Sequence, residues 1–107
     1  MSDPLREFRD AALAVRSAYD ANGPGKVAAE LFAVVQDCMN RAQQQAIDSA
    51  LEEALETVQQ LCYRCVHHPE GWCFVTGEYG LVPRTDLINQ FDEAMALIQR
   101  HVDASEA

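Results

Sequence analysis

The sequence predicts a mainly α-helical single domain of 107 residues, with three or four helices, one of them long, and a small β-hairpin inserted before the last helix. Three observations support this fold class. Apolar residues recur at helical spacing over most of the chain. Residues 26–65 contain neither glycine nor proline, whereas residues 66–83 contain three glycines and two prolines. The length allows one hydrophobic core and not a second, so we expect residues 1–107 to form one domain.

The first helix is predicted over about residues 4–21. Asp3 can cap its amino end, and Pro4 suits the first helical position. The segment 22–25, Asn-Gly-Pro-Gly, ends the pattern. The apolar face consists of Leu5, Phe8, Ala12, Val15 and Tyr19.

Residues 26–65 are predicted to form either one long helix or two helices separated by a bend. An unbroken helix would measure about 60 Å, which is roughly twice the width of a domain of this size. The chain therefore either bends near residues 40–45, with Ser49 and Glu52 forming a capping box for a new helix, or a second copy covers the excess apolar face. We expect a homodimer formed through this region.

Residues 66–83 are predicted to form a loop and a hairpin, with short strands at 72–75 and 79–82. The last helix is expected over about residues 85–102, with Thr85 as its cap. Its apolar stripe consists of Leu87, Phe91, Met95, Ile98 and Val102.

The composition restricts the class of partner. The chain carries 17 acidic and 8 basic side chains, for a formal charge of −9, so nucleic-acid phosphates would be repelled and direct nucleic-acid binding is not expected. A basic protein partner is favoured instead, because opposite fields speed encounter. No secretory signal and no run of about 18 apolar residues is visible, so we expect a cytoplasmic protein that does not associate with membranes.

An acidic segment supplies the main candidate for partner binding. Asp48, Glu52 and Glu56 are four residues apart, with Glu53 beside them, and no Lys or Arg occurs between Arg41 and Arg64. Two of the aromatic residues of the hairpin, Trp72 and Tyr79, are further candidates as interaction anchors. The sequence therefore predicts a non-enzymatic adaptor or inhibitor that acts on a basic partner protein, including one that itself binds nucleic acid. A solvated acidic face without a partner is the alternative interpretation.

A cluster of cysteines and histidines allows a second class of function. The candidate zinc ligands are Cys62, Cys65, His67, His68 and Cys73. Thiolates and imidazoles are the ligands that zinc prefers, and a bound ion would connect the helix end to the hairpin. Cys62 and Cys65 also continue an apolar stripe, where cysteine acts as a small buried hydrophobic residue. Thiol redox chemistry is a further alternative, but the pair lies near a helix carboxyl end, where the dipole opposes thiolate formation. No catalytic constellation is recognised, and no cofactor is expected unless zinc binds.

Overall fold

The computed structural model describes residues 3–22, 25–46, 48–67, 74–77 and 80–106, the main chain alone for 74–77, 80–84, 105 and 106. These residues are mainly helical. The described helices are α1 (Pro4–Asn22), α2 (Lys26–Gln45), α3 (Ser49–His67) and α4 (Arg84–Glu106). Two short strands, β1 (Phe74–Gly77) and β2 (Gly80–Pro83), lie between α3 and α4 in the chain.

Helix α1 begins as the sequence predicts. The carboxylate of Asp3 accepts a hydrogen bond from the main-chain N–H of Leu5 at 3.0 Å, which satisfies one of the donors that have no partner within the helix. Helix α1 ends at Asn22, one residue after the predicted end. Its buried face contains all five predicted apolar residues, and Ala11 in addition.

The predicted long segment is two helices separated by a sharp break. Ala46 has an extended backbone, with φ −75° and ψ 112°, and its N–H donates to the carbonyl of Gln43 at 3.1 Å. Asp48 then caps α3, because its Oδ1 atom accepts from the N–H groups of Ala50 at 2.7 Å and Leu51 at 3.2 Å. The predicted cap, Ser49, is instead the first residue of the helix. The break therefore lies between the end of α2 at Gln45 and the start of α3 at Ser49, just beyond the predicted 40–45. Asp48 performs the role that the sequence assigned to Ser49.

The four helices form an antiparallel bundle. Early residues of one helix contact late residues of the next: Glu7 on α1 pairs with Arg41 on α2, and Phe32 on α2 contacts Tyr63 on α3. Arg9 on α1 likewise donates to Gln99 on α4. The bundle measures 40 × 30 × 20 Å. Since α3 folds back onto α2, most described residues of the apolar stripe in 26–65 are buried within one chain, and no 60 Å helix is left for a second copy to cover. The homodimer stays a prediction.

The core is apolar throughout the described residues, whose buried side chains include none that is polar or charged. All four helices contribute to it. Its largest fully buried side chains are Phe8, Phe91, Leu51, Leu55, Ile98, Val15, Val35, Val58, Val102, Cys62 and Cys65.

The strands β1 and β2 pair antiparallel, with Phe74 opposite Pro83 and Gly77 opposite Gly80. They begin one or two residues after the predicted strands at 72–75 and 79–82. Helix α4 follows β2 directly and begins at Arg84, so Thr85 lies within its first turn and not before it. The helix continues to Glu106, four residues beyond the predicted end.

Candidate partner-binding face

The outer face of α3 carries three exposed glutamates, Glu52, Glu53 and Glu56. They are exposed because the opposite face of the helix, with Leu51, Leu55 and Val58 among its residues, is buried in the core. Glu56 lies one helical turn after both other glutamates, so the three carboxylates share one region of the surface. We call this region, defined by Glu52, Glu53 and Glu56, the α3 acidic face.

Asp48, which the sequence groups with these glutamates as a candidate binding residue, is also exposed but has contacts of its own within the fold. Its side chain turns back to cap the helix. Its other oxygen, Oδ2, lies 3.8 Å from Nε2 of His101 on α4, and the side chain is 46% exposed. Asp48 is thus a structural residue that links the α2–α3 break to the end of α4.

In the part of the chain that the structure describes, Arg9, Arg16 and Arg41 pair with carboxylates away from the α3 acidic face. The pairs that join Arg9 to Asp10, Arg16 to Asp20, Arg16 to Asp92, and Arg41 to Glu7 all include a residue of α1. Within the described part of the chain, no ion pair involves a glutamate of the α3 acidic face. Within those residues, arginine side chains therefore do not neutralise the three carboxylates of the α3 acidic face.

A groove between α3 and α4 adjoins the acidic face. Its volume is about 360 Å³, and Glu53 on α3 and Glu93 on α4 line it from opposite helices. The small side chains of Ala50, Ala54 and Ala94 leave space between the helices. Glu93 was not predicted from the sequence, although Ala50 and Ala54, four residues apart on one predicted helix, indicate a shallow groove.

An aromatic cluster lies on the seam between α2 and α3. The rings of Phe32 and Tyr63 are 6.0 Å apart and that of His67 is 4.3 Å from Tyr63, measured between centroids. Tyr63 is 48% exposed and lines a pocket of about 250 Å³, together with Phe32 and three glutamines, Gln36, Gln59 and Gln60. The exposed Tyr63 was not predicted from the sequence as an interaction anchor. The predicted anchors, Trp72 and Tyr79, lie outside the described residues.

Cys62 and Cys65 lie in the hydrophobic core, where both are fully buried. Burial raises the pKa of the Cys62 thiol to about 12, so at neutral pH this residue is protonated and a weak nucleophile. His67 is exposed and contacts Tyr63. No group of three or more His, Cys, Asp or Glu in the described ranges is arranged to hold a metal ion, and the remaining candidates, His68 and Cys73, lie outside those ranges.

A third cysteine, Cys38 on α2, has polar neighbours. Its sulfur lies 3.9 Å from a carboxylate oxygen of Glu7 and 3.7 Å from a guanidinium nitrogen of Arg41. Burial raises the pKa of Cys38, and the negative charge of Glu7 adds to the rise while Arg41 opposes it. The thiol is only 2% exposed, so Cys38 contributes to the contact between α1 and α2 and offers no accessible reactive group.

Comparisons of this chain with protein-family models, curated proteins and solved structures give no match. None of the described helices has the length and apolar character needed to cross a membrane.

Proposed function

We propose that this protein is a non-enzymatic, acidic binding protein that acts as an adaptor or inhibitor of a basic partner protein. The observation that carries the proposal is the exposure of Glu52, Glu53 and Glu56 on one face of α3, without an arginine pairing with any of them in the described structure. Like charges at this spacing lower the stability of a helix by a few tenths of a kcal/mol per pair. A face that reduces stability in the isolated chain is well suited to a partner of opposite charge.

The distribution of charge supports this choice of partner. The chain as a whole has a formal charge of −9, and the pairs that involve α1 neutralise carboxylates away from the α3 acidic face. The field around the α3 acidic face is therefore negative, which attracts a basic surface and repels nucleic-acid phosphates. A partner that itself binds nucleic acid through a basic surface fits this arrangement, since its binding surface would be attracted to carboxylates.

The rigidity of the face also supports binding. Each glutamate is on a helix whose opposite side is buried, and α3 is capped by Asp48. Backbone positions held by a packed helix are already arranged before a partner arrives, which lowers the entropy lost on association. Loops and chain termini do not offer this advantage.

The proposal is tested by capture from a cell extract on the immobilised protein, with elution by increasing NaCl. We expect the captured proteins to be basic and to elute as salt screens the charges. The triple charge reversal Glu52→Lys, Glu53→Lys, Glu56→Lys should abolish their capture while the helical circular-dichroism spectrum is retained. Unchanged capture by this variant would contradict the proposal.

A further inference from the structure

The groove between α3 and α4 extends beyond the cavity that contains Glu53 and Glu93. The cavity that contains Glu53 and Glu93 shares Thr57 and Gln90 with a second cavity of about 310 Å³, which continues to Arg64 and Leu87. Along α3 the two cavities together extend from Ala50 to Arg64, which is about 21 Å at 1.5 Å per residue. The two helices therefore border a continuous groove about four helical turns long.

The carboxylates in the cavity that contains Glu53 and Glu93 favour a positively charged occupant. Glu53 and Glu93 are the charged residues that line that cavity, and both are exposed. A lysine or arginine between them would meet two carboxylates and could lay its aliphatic stem on the apolar floor. A second copy of this chain is disfavoured here, because it would bring further negative charge to the groove.

The shape of the groove favours a helix. Ala54 and Ala94, which are 6% and 8% exposed, lie at its floor between the antiparallel helices, and Leu97 adds apolar surface. Small side chains allow another backbone to approach closely, and side chains of a third helix can pack into a groove between two others. Amphipathic helices bind such grooves through residues at positions i, i+3, i+4 and i+7.

We propose that the α3–α4 groove binds one amphipathic helix of a basic partner protein, with a lysine or arginine between Glu53 and Glu93 and small or apolar side chains on Ala54 and Ala94. This inference rests on the proposed function, which requires a basic partner and the α3 acidic face but not the groove. Beyond the proposed function, it states that the bound segment is a helix and that this helix contacts the groove between α3 and α4.

The test uses a synthetic 14-residue helical peptide with lysines on one face, titrated into the full chain at 150 mM NaCl. We expect the affinity to fall by about tenfold or more in the variant Glu53→Gln, Glu93→Gln. The matched control Glu30→Gln, Asp37→Asn removes the same charge from exposed positions of α2 and should leave the affinity within about twofold. An equal loss in both variants would show general attraction to an acidic chain and would overturn the inference.

The shape is tested by filling the groove without changing its charge. Ala54→Leu should weaken peptide binding by about tenfold, because the added side chain occupies the floor. Because Ala54 is nearly buried, the exposed residue Ala50 provides a second variant, Ala50→Leu, that avoids the core. Wild-type affinity in both folded variants would overturn the inference.

The two proposals fail in different ways. If capture from the extract depends on Glu52 and Glu56 while the groove variants bind the peptide like the wild type, the helix proposal is wrong and the proposed function is retained. If charge reversal on α3 also leaves capture unchanged, the proposed function is wrong as well.

Discussion

The Oδ1 atom of Asp48 accepts a hydrogen bond from the main-chain N–H of Ala50 at 2.7 Å. This contact starts α3 and allows the chain to reverse after α2, so that the two helices pack side by side. The acidic residues at the start of α3 therefore have different roles. Asp48 stabilises the helix end, whereas Glu52, Glu53 and Glu56 project from the helix surface.

The cap predicts a specific response to substitution of Asp48. Asp48→Ala should lower the free energy of unfolding by about 1 kcal/mol, because the N–H groups of Ala50 and Leu51 lose their acceptor. Asp48→Asn retains an oxygen acceptor and should remain within a few tenths of a kcal/mol of the wild type. Urea denaturation measures both changes. Equal destabilisation by the two variants would contradict this account, because it would show that the lost negative charge near His101, and not the lost cap, causes the effect.

Burial of Cys62 predicts a loss of stability in alkaline solution. Its pKa is raised from 9.0 to about 12 in the folded chain, so between these pH values the unfolded state releases the thiol proton and the folded state keeps it. The folded state then binds more protons, and the free energy of unfolding falls with a slope of up to about 1.4 kcal/mol per pH unit from this group.

The variant Cys62→Val isolates this contribution, because valine has no titrating group and is also apolar. Urea denaturation of both proteins across pH 8 to 11 should give a shallower decline for the variant above pH 9. Other groups, including Cys38, titrate in both proteins and cancel in the difference. If the free energy of unfolding fell with pH at the same slope in both proteins, the burial of Cys62 as a protonated thiol would be contradicted.

The contact between α1 and α4 predicts a measurable coupling of Arg16 with Asp92. The Arg16 side chain is 26% exposed, and its guanidinium group lies 5.2 Å from the centroid of the Phe91 ring as well as beside Asp92. A double-mutant cycle with Arg16→Gln and Asp92→Asn should give a coupling energy of about 0.5 to 1 kcal/mol, because partial exposure weakens the ion pair. A coupling indistinguishable from zero would show that solvent screens the pair completely.

The α3 acidic face predicts opposite effects of one substitution on stability and binding. Glu56→Gln removes a charge one turn from both Glu52 and Glu53, so it should raise the free energy of unfolding by a few tenths of a kcal/mol. The same change should weaken capture of the basic partner. Glu30→Gln on α2 is the control, since Glu30 follows Lys26 by four residues and its loss should not stabilise the chain. A less stable Glu56→Gln protein would contradict repulsion on this face.

The helices were largely predictable from the sequence, because each has a regular apolar stripe. The predicted first helix ends within one residue of α1, and the predicted stripe of α4 is buried where its side chains were expected. The position of the break between α2 and α3 was not predictable in the same way. No glycine or proline marks it, and the capping ability of Asp48 competes with a simple continuation of the helix.

The candidate site was predictable only in part. The spacing of Glu52, Glu53 and Glu56 on one helix is a local property, so the sequence identified the acidic face. Glu93 is 40 positions from Glu53 in the chain and joins it at the groove only because α3 and α4 pack antiparallel. The apolar stripe also predicted Cys62 and Cys65 as small buried residues, and both lie in the core.

The most direct measurement of the central claim compares two neutralised variants in quantitative capture from a cell extract. One variant carries Glu52→Gln, Glu53→Gln and Glu56→Gln, and the other removes the same charge at exposed positions through Glu30→Gln, Asp37→Asn and Asp103→Asn. We predict that the α3 variant loses about tenfold or more of the captured basic proteins, and that the control variant retains them. Equal retention by the two variants, or a captured set no more basic than the extract itself, would contradict the claim that the α3 acidic face binds a basic partner.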